Sequence, residues 1–99
     1  MNKVSKIPAS YQKDIEKAIK ILKEAGCAEV LLFGSLIEGK VKDGSDIDLA
    51  IRGCPRGMYF SLVGKLLLEL DHPVDLVNLD INKELADYLE REGNLVHVS

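Results

Sequence analysis

Three carboxylates and a Gly-Ser pair are the residues of this chain whose types and spacing could do chemistry together. Asp46 and Asp48 stand two apart in Ser45-Asp46-Ile47-Asp48-Leu49, and Asp75 follows in Val74-Asp75-Leu76-Val77. Alternate side chains of a strand share a face, so Asp46 and Asp48 project together while Ile47 and Leu49 turn into the core. At an assumed separation of about 5 Å and an effective dielectric of about 20, the two charges repel by roughly 3 kcal/mol. A divalent cation converts that repulsion into binding. Oxygen donors of this kind suit Mg²⁺ or Mn²⁺, which keep coordination positions for water and substrate phosphates. Asp75 points opposite to both Val74 and Leu76, so it completes a triad if its strand lies beside that of Asp48.

Other readings of the same stretch fail on spacing. Gly34-Ser35-Leu36-Ile37-Glu38-Gly39-Lys40-Val41 fits the first positions of a phosphate-binding P-loop. Val41, however, stands where that motif needs a Ser or Thr hydroxyl for Mg²⁺, and Asp43-Gly44-Ser45-Asp46 is a poor opening for the helix that must follow. An EF-hand begun at Asp46 puts Ile51 at the obligatory glycine, and one begun at Asp43 puts Ile47 at a ligand position. Cys27 and Cys54 form no CxxC or Cys/His cluster, so the sequence predicts free, buried or half-buried thiols rather than a disulfide framework or zinc site. His72 and His97 have no paired ligand in the sequence and read as structural.

The elements that must position these groups follow from periodicity. Ile15, Ala18, Ile19 and Leu22 recur at helical spacing between lysines, predicting an amphipathic helix over Ser10 to Ala25 that Gly26 stops. Glu29 to Phe33 and Ile47 to Arg52 are short apolar runs bounded by glycine and read as strands joined by a polar, Gly-containing loop. Met58, Leu62, Leu66 and Leu70 predict a second helix over Gly57 to Leu70. A break at Asp71-His72-Pro73 leads to a third strand, Val74 to Asn78, then a helix over Lys83 to Glu92 that Gly93 stops, and a weak terminal strand in Leu95 to Val98. The expected fold class is α/β (α+β): a small mixed β-sheet with helices packed against it.

Composition sets the scale. With 99 residues, 46% of them hydrophobic, the sequence predicts one domain spanning 1–99 with a single core, so a second catalytic module would come from another chain. A formal charge of -3 argues against coating nucleic acid by bulk electrostatics. The lysine-bearing N-terminus lacks the apolar stretch of a signal peptide and no run is long enough to span a bilayer, which predicts a cytoplasmic protein.

Phe33-Gly34-Ser35, Ser45-Asp46-Ile47-Asp48-Leu49 and Val74-Asp75-Leu76-Val77 together resemble the signature of the minimal nucleotidyltransferases of the polymerase-beta-like superfamily. That signature is a Gly-Ser pair, a spacer of around ten residues, an Asp-x-Asp and a later strand acid. The resemblance extends over nearly the whole chain. It implies that Asp46, Asp48 and Asp75 are the catalytic, metal-holding residues, that Gly34 and Ser35 bind nucleotide phosphate, and that Asp75 also helps deprotonate an attacking hydroxyl. The implied chemistry is Mg²⁺- or Mn²⁺-dependent in-line transfer of a nucleotidyl group, with ATP as substrate and pyrophosphate leaving.

Similar minimal proteins pair with HEPN-domain proteins, some as antitoxin and toxin. The resemblance therefore implies AMP transfer to a hydroxyl, a tyrosine by preference, of such a partner. A non-catalytic module that neutralises its partner by occlusion is the alternative. RNA ends are less attractive acceptors for an acidic chain, and small-molecule acceptors usually require a second domain. Many relatives carry basic residues shortly after Gly-Ser, where this chain has Leu36 and Glu38; Lys40, Lys42, Arg52 and Lys65 are the cations that could replace them.

Overall fold

Tyr11, Ile15, Ala18 and Leu22 form the buried face of the first helix, α1 (Ala9–Glu24). Its end is set by Gly26, whose φ of 105° is open to glycine, and by the Gly26 N–H donating to the Lys23 carbonyl at 3.0 Å. The computed structural model describes residues 7–38, 44–92 and 95–99, the side chains of Ser35 and Glu38 excepted. The remaining elements are β1 (Glu29–Phe33), α2 (Ser35–Glu38), β2 (Ile47–Arg52), α3 (Tyr59–Glu69), β3 (Val74–Asn78), α4 (Lys83–Glu92) and β4 (Val96–His97).

The strands lie in the order β3-β2-β1-β4. β1 runs antiparallel to β2 and β4, whereas β2 and β3 are parallel, joined by a crossover through α3. Ile47, Leu49 and Ile51 of β2 turn to the face covered by α1 and α3, where they join Val30, Leu32, Leu62, Leu66 and Leu76 in the larger core. Ala50 turns to the opposite face with Leu31, Leu79, Ala86 and Leu89, which α4 covers. The mixed sheet with three helices packed on it agrees with the fold class expected from the sequence.

Two expectations are corrected. The stretch after β1 is not simply a loop: α2 forms there because Leu36 and Ile37 are buried and the Ile37 N–H donates to the Gly34 carbonyl at 3.1 Å. Burial of two adjacent apolar residues draws the backbone into a helical turn. The cysteines are not free: Cys27 and Cys54 are joined in a disulfide, with Cα atoms 3.8 Å apart. The pairing Glu29↔Arg52 in the β1–β2 ladder, continued two residues outward, sets position 27 opposite position 54. That proximity arises from strand register and cannot be seen in a linear spacing of 27 residues.

Among the described residues, no helix is long and apolar enough to cross a membrane.

Candidate active site

Register places two of the three carboxylates side by side. Asp48 pairs with Asp75 across the parallel β2–β3 ladder and with Phe33 across the antiparallel β1–β2 ladder. Register partners share a face, and Asp48 has the same parity as Ala50, so both acids face the side of the sheet that α4 covers farther along. Asp48 is half-buried, Asp75 is exposed, and Asp46 is exposed one residue ahead of β2. The acids therefore gather where β2 and β3 begin.

Gly34 is fitted against this row. It follows Phe33, has a φ of 81°, and a Cβ built on it would lie 2.0 Å from Asp48 Oδ2 and 2.8 Å from Asp48 Cγ. A side chain at position 34 is thus excluded twice, by backbone conformation and by the carboxylate. The missing Cβ gives the Asp48 carboxylate its space and brings the start of α2 beside it. Ser35 is the first residue of α2, but its side chain lies outside the described atoms.

The donor chemistry fits a hard divalent cation. Carboxylate oxygens are the proper ligands, and the exposed Asp46 and Asp75 can turn toward Asp48 without disturbing the core. As placed, no three His, Cys, Asp or Glu side chains among the described residues converge in a ligating group. A groove of about 340 Å³ runs along β3, bordered by Asp75, Tyr59, Asn78, Ile81 and Asn82.

The cations considered as substitutes after Gly-Ser fare unequally. Arg52 lies at the far end of β2 from Asp48, a distance of roughly 13 Å along a strand. It is held there by Glu90 at 2.6 Å and Glu29 at 3.7 Å. The hydrogen bond to Glu90 is the main cause raising the guanidinium pKa above its ordinary value, so Arg52 serves this ion cluster and not the acid row. Lys65 is exposed on α3. Lys40 and Lys42 lie outside the described residues, as do Gly39, Val41, Asp43 and the helix-stopping Gly93.

Both histidines have carboxylate partners the sequence did not reveal: His97 Nε2 lies 2.9 Å from Glu29 Oε2, and His72 Nδ1 lies 2.7 Å from Asp14 Oδ2. Asp14 was legible in principle, because an acid sits among Tyr11, Ile15 and Ala18 on the apolar face of α1. A charge on that face needs a partner.

The chain belongs to the polymerase beta nucleotidyltransferase family, whose model matches residues 16–99. Among solved structures it is similar to one described as a toxin-antitoxin with AMP-PNP, at 28% identity and a TM-score of 0.70, over 85% of this chain and 71% of that one. No curated protein sequence matches it significantly.

Proposed function

We propose that this chain is a metal-dependent adenylyltransferase that moves AMP from ATP to a hydroxyl of a protein partner. The observation that carries the reading is the apposition of Gly34, Asp48 and Asp75: a carboxylate pair in strand register, with a glycine whose absent side chain opens space beside it. Similarity to a toxin-antitoxin with AMP-PNP supports both an ATP-like nucleotide and a protein partner. A HEPN-domain toxin is the partner class we assign, with this chain as its antitoxin.

In this reading Asp46, Asp48 and Asp75 would hold Mg²⁺ or Mn²⁺, which would supply charge neutralisation for phosphoryl chemistry. Gly34 lets the backbone approach the nucleotide, and Ser35 donates to a phosphate oxygen. The acceptor, a tyrosine hydroxyl by preference, reaches Asp75 along the groove beside β3. Its oxygen bonds to the α-phosphorus as the α–β phosphoanhydride bond breaks, its proton passes to Asp75, and pyrophosphate leaves.

A second reading, occlusion without catalysis, is favoured by Phe60, Leu67 and Leu68, which are 85%, 73% and 85% exposed on one side of α3. Mass spectrometry of the partner after incubation with ATP and Mg²⁺ separates the two. An AMP-sized increment with wild type, absent with Asp48→Asn, is the expected result; tight binding with no increment replaces transfer by occlusion.

A further inference from the structure

Behind the acid row, on the side of α1, three side chains join the two segments that deliver the acids. Asp14 is buried, at 2% exposure. Its Oδ2 accepts the His72 backbone N–H at 2.8 Å and lies 2.7 Å from His72 Nδ1. The imidazole stacks on Tyr11, with ring centroids 3.8 Å apart and planes at 23°. Tyr11 in turn donates its hydroxyl hydrogen to the Ser45 carbonyl at 2.8 Å. Ser45 immediately precedes Asp46, and His72 stands three residues ahead of Asp75. The two segments also meet directly, the Ile47 N–H donating to the Pro73 carbonyl at 2.8 Å.

We propose that Tyr11, Asp14 and His72 are positioning residues that fix the entries to β2 and β3 relative to each other, so that Asp46, Asp48 and Asp75 reach one cation together. The inference rests on the assignment of those acids made above. Its physical basis is that Asp46 lies just outside the ladder, between Ile47, whose N–H is held by the Pro73 carbonyl, and Ser45, whose carbonyl accepts from Tyr11, so Tyr11 helps to set its place. Asp14 is the fixed point: buried on α1, it anchors His72, and the imidazole supports the ring that reaches Ser45. None of the three is placed to touch the cation, so each acts through the acids.

The test uses Mn²⁺ alone, read as loss of the free-ion electron paramagnetic resonance signal, beside thermal unfolding. Tyr11→Phe keeps the stack and removes only the hydroxyl. Mn²⁺ affinity should weaken by up to about tenfold, the ceiling reached if the whole worth of one such hydrogen bond is coupled to ion binding. Asp14→Asn serves as a second variant. Asp48→Asn is measured in the same series. The inference is upheld if Asp48→Asn abolishes binding and Tyr11→Phe weakens it while remaining folded. It is overturned if Asp48→Asn abolishes binding and Tyr11→Phe and Asp14→Asn, though less stable, match wild type, because the three would then be structural alone. Equal binding by wild type and Asp48→Asn, or none by wild type, overturns the acid-site reading itself and the inference with it.

Discussion

The Asp48 carboxylate occupies the space that a side chain at position 34 would need, with Oδ2 only 2.0 Å from where a Cβ of residue 34 would stand. Gly34→Ala therefore imposes two costs. The left-handed backbone disfavours alanine by about 1–2 kcal/mol, and the new methyl displaces Asp48. For a domain of this size we expect Tm to fall by roughly 5–15 °C and Mn²⁺ binding to weaken. Unfolding and Mn²⁺ titration of the same preparation check this. A variant with unaltered melting and unaltered binding is incompatible with the close approach.

Acid should weaken the fold through Asp14. Burial alone raises its pKa, but the hydrogen bonds from the His72 imidazole and from the Asp71 and His72 N–H groups outweigh burial and leave it below the ordinary 3.8. A carboxyl whose folded pKa is depressed stabilises the fold fully above its unfolded value, and that contribution disappears as pH falls through the folded one. Chemical unfolding between neutral pH and about pH 2 should thus show wild type losing more stability below about pH 4 than Asp14→Asn does. At neutral pH the variant should be less stable by about 1–3 kcal/mol. Parallel curves for the two proteins would remove Asp14 from the acid transition.

The disulfide gives a third expectation. Cys27 and Cys54 enclose a loop with a sequence separation of 27. Closing such a loop constrains the unfolded chain by about 3.5 kcal/mol in the chain-entropy account. Reductant should lower the Tm of the oxidised protein, while Cys54→Ser should melt near the reduced value and ignore reductant. Identical melting of oxidised and reduced protein would deny the bond a part in stability.

What the sequence made legible is what lies within single elements. The bounds of β1, β2, β3 and α4 follow from apolar runs broken by Gly, Pro and Asn, and the structure has them at the expected residues. The side-by-side placement of Asp48 and Asp75 follows once the strands are neighbours, because each acid alternates with buried residues. The disulfide and the Tyr11–His72–Asp14 cluster depend instead on register and on how α1 crosses the sheet. Neither leaves a mark in local spacing beyond an acid on an apolar helix face. The turn of α2 was hidden because Gly34 and Ser35 signal a loop, whereas burial of Leu36 and Ile37 decides the conformation.

Asp75 gives the sharpest separation of transfer from simple binding. It is exposed at the start of the edge strand β3, and its carboxylate is not needed for packing. Asp75→Asn keeps the volume and relieves like-charge repulsion with its register partner Asp48, so stability should hold or rise and should not fall. The amide can neither accept the hydroxyl proton nor bring negative charge to a cation. Removing a general base costs about 10²- to 10⁴-fold in rate. We therefore expect adenylylation of the partner to fall by at least about a hundredfold, while partner affinity, measured by calorimetry, stays within about threefold of wild type. Transfer at the wild-type rate would take Asp75 out of the chemistry. A matching loss of partner affinity would assign this carboxylate to the docking surface instead.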